Sequence, residues 1–580
     1  MQNLDSPAFA DIDRHFARFI GRFGGGELVS GAALFLSQAV RRGHICLDLS
    51  VPPVSEEGGD EPAWPALPEW REALSQSRAV GGCGSAEKTP LVLDQAGRLY
   101  FRRYYQYEQS LAAALRAHAS NPIFPMLPIT PMGSMGVMGS MGSGKNPAAT
   151  APAEGQEAAI ETAQKRQLTI ISGGPGTGKT TTVVEILRRL LDGPHRHRIA
   201  LTAPTGKAAA RLEQAVREGF EKALRPDLAT HIPRASTLHR LLGYRPNSPQ
   251  FRHNAANPLA IDLLVVDESS MVPLPLMAKL FDALPPQARV ILLGDRDQLA
   301  SVEPGSVLAD IAEAAVAPGS PLEGALVMLK TNYRFGNDSS IYRLSEAVRL
   351  GNSGEALTAM QPAADLCRNP LPAAGALAER LRDPVLAGYG AYLRENDPAK
   401  ALAAFGRFRV LCALRKGPYG VEEINRQIEA VLRQAGFLHN RGGTPVLITR
   451  NDYQLKLFNG DIGTILPDPA APDGPLWAWF PGETGADPAT AQLRRIPPAQ
   501  LPDHESAYAM TVHKSQGSEF DRVLLMLPDR DAPVLTRELI YTGLTRAREY
   551  VELWLQDEVF IQAIGRRTQR TSGLKDTLMR

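Results

Sequence analysis

Short, unbroken apolar runs punctuate this chain from residue 168 onward: 168–172, 199–202, 263–267 and 290–294 are each rich in Val, Ile or Leu. Between them the apolar residues recur every three or four positions, the helical spacing. A run of that length without polar alternation suits a strand covered on both faces, as in a parallel sheet. The pattern returns at 409–414, 523–527 and 551–555. The sequence therefore predicts two doubly wound α/β domains with a cleft between them.

The stretch 442–502 breaks this rhythm. It is rich in Gly, Pro and Asp, with alternating pieces at 445–449, 463–466 and 476–480, and predicts a small β-barrel insertion. Ahead of the α/β region lie amphipathic stretches at 16–23 and 32–40, then a Pro/Gly-rich region at 51–84, which together predict a mostly helical front domain. Residues 122–152 turn to Pro, Met, Gly and Ser without any period and read as a flexible linker. The expected division is a front domain at 1–121, the linker at 122–152, a first α/β domain at 153–330, a second at 331–441 with 503–580, and the insertion at 442–502.

At 580 residues the chain exceeds what one core serves. Apolar content of 44% and charged content of 22% exclude wholesale disorder. The formal charge of +1 gives no bulk attraction for nucleic acid, so any such binding rests on a local groove. The four cysteines, Cys46, Cys83, Cys367 and Cys412, form no CxxC pair and read as reduced thiols. No apolar run approaches the roughly 20 residues that span a bilayer, and no secretory start is present, so a cytoplasmic protein that contacts no membrane is expected.

Chemistry concentrates in three places. Gly173, Gly174, Pro175, Gly176, Thr177, Gly178, Lys179, Thr180 and Thr181 follow a predicted strand and open the helical stretch 181–191. Glycines there let backbone N–H groups close around phosphates, with Lys179 on the β/γ oxygens and the Thr180 hydroxyl on Mg2+. Asp267 and Glu268 end the run 263–267 at the edge where a sheet faces nucleotide; Asp267 would hold Mg2+ and Glu268 would activate water. Gln298, in Gly294-Asp-Arg-Asp-Gln298, ends the next strand where a γ-phosphate can be sensed.

The ordered series of the phosphate loop, Ala203-Pro-Thr-Gly206-Lys207, Asp267-Glu268, Gly294-Asp-x-x-Gln298, Asn332-Tyr333-Arg334, Thr511-Val-His-Lys-Ser-Gln516-Gly517 and Tyr541-Thr-Gly-Leu-Thr-Arg546-Ala-Arg548 resembles superfamily 1 helicases. The resemblance implies ATP hydrolysis with Mg2+ and places Arg334 and Arg546 on the γ-phosphate. It also implies that Tyr333 stacks on adenine, that Gln156 reads the adenine edge, and that Gly517 and Glu519 lie near the ribose. It assigns DNA contacts to Pro204, Thr205, Thr237, His239, Thr511, His513 and Lys514, a set suited to phosphates gripped without sequence preference.

Within that superfamily, the stretches 451–463 and 507–517 resemble RecD-type enzymes, and the short front end with 99–108 resembles the alpha-subunit family of RecBCD, the exodeoxyribonuclease V complex. This implies two RecA-like P-loop domains, an SH3-like β-barrel insertion, and a 5′→3′ motor acting on single-stranded and double-stranded DNA. It further implies RecB-like and RecC-like partner subunits in a heterotrimer and no nuclease site on this chain. A standalone 5′→3′ helicase and a nucleotide-dependent DNA clamp that does not step are the competing readings. Phe16, Phe19, Ile20, Phe23, Leu34, Phe35 and Leu36 give the front segment more large apolar groups than it easily buries alone, so it is expected to dock a partner.

Overall fold

The computed structural model describes residues 9–52, 64–84, 88–120, 154–192, 197–222, 232–246, 248–336, 338–437, 443–452, 454–482 and 493–580. The expected linker at 122–152 lies outside them. The front segment begins with helices Asp11–Gly21 and Gly26–Arg41. The buried Asp13 carboxylate joins them: it accepts from Ala10 N–H at 3.0 Å, Ser37 at 2.7 Å and Arg41 at 2.7 Å. Beside them lies a sheet of β1 (Cys46–Asp48), β2 (Val80–Gly82), β3 (Leu91–Leu93) and β4 (Arg98–Phe101), in the order β1-β4-β3-β2. Strands of three or four residues are too short for alternation to register, so the pattern predicts a mostly helical front domain without placing this sheet.

The apolar groups of this segment meet a different fate from the one expected. Ile20, Leu34, Phe35 and Leu36 are buried in a core of the segment's own, and Phe16 packs 5.0 Å from Phe101. Phe19 stays 49% exposed. The helix Arg102–Ser120 packs on the helix Leu274–Asp282, with Leu111 and Leu115 sharing one apolar cluster with Met277, Leu280 and Phe281. His118 stands edge-on to Phe281 at 5.6 Å. Residues 102–120 are thus fused by packing to the first α/β domain, because that helix carries an apolar face its own segment does not cover.

The first large sheet comprises β5 (Leu168–Gly173), β6 (Ile199–Ala203), β7 (Ser236–Thr237), β8 (Leu263–Val266), β9 (Arg289–Gly294) and β10 (Leu326–Leu329). All pair in parallel in the order β10-β5-β9-β8-β6-β7. Every residue of β5, β6 and β8 is buried, which is why these runs lack polar alternation. The phosphate loop, Thr205, Glu268, Gln298 and Tyr333 all follow carboxyl ends of these strands, so the topology gathers them on one edge.

The second sheet opens with β11 (Leu366–Pro370) and β12 (Phe408–Cys412). The insertion follows as β13 (Thr444–Ile448), β14 (Ile462–Asp468), β15 (Ala471–Phe480), β16 (Arg494–Ile496) and β17 (His504–Ser506). Then β18 (Ala509–Thr511), β19 (Phe520–Met526) and β20 (Ala547–Leu555) complete a parallel sheet of order β11-β20-β19-β12-β18. The insertion pairs antiparallel in the order β16-β15-β14-β13-β17. The expected small barrel thus appears as a five-stranded antiparallel sheet, and among the described residues no pairing joins β16 to β17. Tyr392 and Tyr508 fix its root, donating to the Gly443 carbonyl at 3.0 and 2.9 Å.

Candidate functional site

The phosphate loop forms because β5 ends in glycines that tolerate what side chains do not. Gly176 and Gly178 both have φ of +80°, and a Cβ on either would collide with Arg334 or Gln156 respectively. Thr177 Oγ1 ties the loop shut by donating to Gly174 O at 2.8 Å. Lys179 opens the helix Lys179–Leu191, and its Nζ donates to the Gly173 and Gly174 carbonyls at 2.5 and 2.9 Å. The loop and the helix N-terminus thus point a cation and free N–H groups into one cleft of about 330 Å³.

Lys179, Thr180, Thr181, Asp267, Glu268, Gln298, Tyr333, Arg334, Gly517, Glu519 and Arg546 all line that cleft. Asp267 follows β8 and is deeply enclosed; burial, then the neighbouring Glu268 charge, push its carboxyl up to about 6. Its Oδ1 accepts from Glu268 N–H at 2.8 Å. Glu268 sits at φ +51°, left-handed backbone that a glutamate rarely adopts, and this turn holds its carboxylate beside Asp267 in the cleft. Gln298 is buried and donates to Asp295 at 3.3 Å.

Tyr333 and Gln156 converge on Gly178: a Cβ built there would lie 3.5 Å from the Tyr333 ring and against the Gln156 amide. Tyr333 N–H donates to Gly176 O at 2.8 Å and Asn332 Nδ2 to Pro175 O at 3.0 Å, so the segment that follows β10 is laced to the loop. The Tyr333 ring itself remains 56% exposed, open on one face to a flat ligand.

The second domain closes the cleft with cations. Glu519 accepts from Arg334 at 2.5 Å, Arg211 at 2.7 Å and Arg548 at 3.1 Å. Burial raises its pKa, but Arg211 and Arg334 outweigh it and hold the carboxyl well below its ordinary range. Arg334 keeps a buried Nη1 with no protein acceptor, and burial lowers its pKa. Such a donor facing a phosphate-sized space fits an anion. Arg546 is buried and spends its donors on Thr542 O at 3.0 Å, Ser518 O at 3.3 Å and Thr545 Oγ1 at 3.4 Å, so it must turn to reach a ligand.

The expected nucleic-acid residues flank the cleft on both domains. Thr205 Oγ1 accepts from Ala208 N–H at 3.2 Å, and Thr237 caps the helix Leu238–Leu242 by accepting from Arg240 N–H at 3.3 Å. Pro204 connects β6 to the helix Gly206–Lys222. His239 stands 5.7 Å from Phe251 and is lowered in pKa chiefly by burial. Across the interface, Thr511 Oγ1 accepts from Lys514 N–H at 3.2 Å, and Lys514 pairs with Glu505 at 2.7 Å. His513 is lowered by burial and then by Arg570. A Cβ on Gly517 would stand 3.7 Å from Thr205 Oγ1, so the two domains approach here.

Several residues of the site escaped the sequence reading. Lys207 Nζ donates to Ser518 across the cleft at 2.9 Å, and burial with Arg409 and Arg211 nearby brings its pKa down to about 8. Arg211 and Asn332 stand in or beside recognised motifs, yet their partners are far away in sequence. Position relative to the motif was the only available signal.

The description of the N-terminal domain of the RecBCD enzyme subunit RecD matches residues 6–100. An AAA domain matches 156–304 and a UvrD-like helicase C-terminal domain matches 506–554. The chain is 38% identical over 570 residues to the RecBCD enzyme subunit RecD of Mycolicibacterium smegmatis, covering 93% of this chain and 92% of that protein. It is 32% identical to the ATP-dependent RecD2 DNA helicase of Deinococcus radiodurans over 80% of this chain and 57% of that protein. Among solved structures, Bacteroides Pif1 bound to single-stranded DNA overlays 70% of this chain and 93% of its own at 16% identity and a TM-score of 0.37. On identity sustained along almost the whole length of both proteins, the chain belongs to the RecD family of RecBCD enzyme subunits.

Proposed function

We propose that this chain is an ATP-dependent DNA helicase that moves 5′→3′ along single-stranded DNA as the motor subunit of a RecBCD-type helicase–nuclease. One observation carries the reading: Lys179, Asp267, Glu268 and Gln298 of the first domain face Arg334, Glu519 and Arg546 around a single cleft, the arrangement phosphoryl transfer to water needs. Near-complete identity coverage with a RecBCD subunit supports the assignment of partners, RecB-like and RecC-like chains. The front segment with its exposed Phe19 is the surface we assign to them. Its division from the motor falls before residue 102, since 102–120 pack on the first domain.

In this reading Lys179 leaves the loop carbonyls for the β/γ-phosphates, and Tyr333 with Gln156 holds the adenine over Gly178. Glu268 orients and deprotonates the attacking water. Arg334 and Arg546 neutralise charge on the transferred phosphoryl group, and Gln298 senses its loss. The neighbouring carboxylates Asp267 and Glu268 line the cleft beside Thr180, a set of oxygens that fits Mg2+, with Thr180 and Asp267 as protein ligands. When bound, Mg2+ supplies charge neutralisation of the phosphates. Pro204, Thr205, Thr237, His239, Thr511, His513 and Lys514 form the track for the DNA backbone.

The test is ATP turnover with and without oligo(dT). A motor shows turnover strongly stimulated by DNA of any sequence, and a nucleotide-dependent clamp shows none.

A further inference from the structure

After the second sheet, the C-terminal segment returns to the first domain. Arg570 Nη1 donates to the carbonyls of Glu303 and Gly305, both at 2.9 Å. Next to it, Thr571 O accepts from Ile45 N–H at 2.8 Å and Thr571 N–H donates to His44 Nδ1 at 3.0 Å. Gly305 N–H in turn donates to Gly43 O at 3.0 Å. Gly43 has φ +94°, and a Cβ there would stand 3.1 Å from the Arg570 guanidinium, so its bareness makes room for the arginine. Three parts of the chain meet in this knot: the turn Gly43–Ile45, the loop 301–305 and the tail.

Arg570 is a half-buried cation, and among the described residues no carboxylate forms an ion pair with it. Burial lowers its pKa, so its position costs desolvation and is held by two carbonyl dipoles. The loop it grips continues directly from Gln298. At the near end, Leu299 N–H donates to Thr542 Oγ1 at 3.0 Å and Leu299 O accepts from Gln516 at 2.7 Å. The second domain therefore holds Leu299 through Thr542 and Gln516, while Arg570 grips the far end from a tail whose Thr568 N–H is bonded to Glu538 of the second domain at 2.9 Å and whose helix Leu574–Met579 packs on the first. Gln516, which holds Leu299, lies in the stretch 511–517 that also carries the proposed track residues Thr511, His513 and Lys514.

We infer that Arg570 is a positioning residue that locks the loop 301–305 to the second domain, so that the change of state read at Gln298 is carried to the DNA track as a rigid displacement. This rests on the motor reading above. Without Arg570 the far end keeps only its bonds to Gly43 and Leu274 and is no longer tied to the tail, so the loop would absorb part of each stroke.

The experiment measures ATP consumed per nucleotide travelled on oligo(dT), together with amide exchange at Gly305, for the full chain and for Arg570→Ala, Arg570→Lys and Gly43→Ala. Expected are normal ATPase without DNA, about threefold more ATP per nucleotide in Arg570→Ala, partial recovery in Arg570→Lys, and faster exchange at Gly305. Gly43→Ala, which crowds the guanidinium from the opposite side, should reproduce the Arg570→Ala ratio. Folded variants that lose only thermal stability while keeping the wild-type ratio overturn the proposal. Where Arg570→Ala does not fold, the Arg570→Lys and Gly43→Ala ratios decide in the same way. A wild-type chain whose ATPase ignores DNA would sink the motor reading itself, an outcome separate from normally coupled variants of a working motor.

Discussion

Tyr541 of the second domain donates its hydroxyl to Asp295 of the first at 3.0 Å, onto the same Oδ2 that accepts from Gln298 at 3.3 Å. The group proposed to sense the γ-phosphate is therefore oriented by a carboxylate that the opposite domain helps to hold. Both partners are buried, so the bond is not diluted by water.

Tyr541→Phe removes that donor without changing shape. Turnover of ATP should fall about tenfold, matching the roughly 1.5–3 kcal/mol of a hydrogen bond to a charged group, while KM for ATP stays within about twofold. Steady-state ATPase at saturating DNA checks it, and an unchanged kcat would remove the cross-domain role.

Lys179→Gln should leave the circular dichroism spectrum intact and lower DNA-stimulated ATPase by about 10³ or more. The side chain makes only two loop hydrogen bonds, so folding does not depend on it. A folded variant with near-normal turnover contradicts the phosphate-loop assignment.

Arg334→Ala should separate binding from chemistry, with ATP still held by the first domain and kcat reduced about 10³. It also frees Glu519, whose carboxylate keeps Arg211 and Arg548. Nucleotide titration beside single-turnover hydrolysis distinguishes the two steps; a collapse of affinity at normal turnover would make Arg334 a ground-state anchor.

The share of folding stability that Glu108 and Asp310 contribute should decline as pH rises from about 4.5 to 7. Burial lifts Glu108 to about 7 against donors from Gly573, Ser572 and Tyr100, and lifts Asp310 to about 7 with Glu108 and Glu313 adding to it. Raised folded pKa values mean the unfolded chain ionises first, so the stability these groups contribute is full below their unfolded pKa and lost as pH climbs through the folded one. Each group accounts for roughly 3 to 4 kcal/mol at most. Urea midpoints at pH 5 and pH 8 check the direction, and Glu108→Gln should flatten the difference.

Much of the site was legible because its residues are neighbours in sequence. The glycines, Lys179, Asp267 and Glu268 carry their chemistry in single short segments at strand ends, where the fold must present them together. What stayed hidden depends on contacts between distant positions. Arg211 meets Glu519, Tyr541 meets Asp295 and Arg570 meets Glu303 only after both domains have folded. Leu111 and Leu115 meet Phe281, far along the chain, only in the folded core. The strands β1 to β4 were too short to announce themselves. Alternation fixes the strands and faces of the insertion but not whether the ends of its sheet meet.

The most direct test of the central claim is strand displacement by the chain assembled with its partner subunits, on duplexes bearing either a 5′ or a 3′ single-stranded tail, with the partner motor disabled by a substitution in its own phosphate loop. The account predicts ATP-dependent unwinding from the 5′ tail, lost in Lys179→Gln and steeply weakened by salt as phosphate contacts are screened. Unwinding that requires a 3′ tail, or that survives Lys179→Gln, would contradict it.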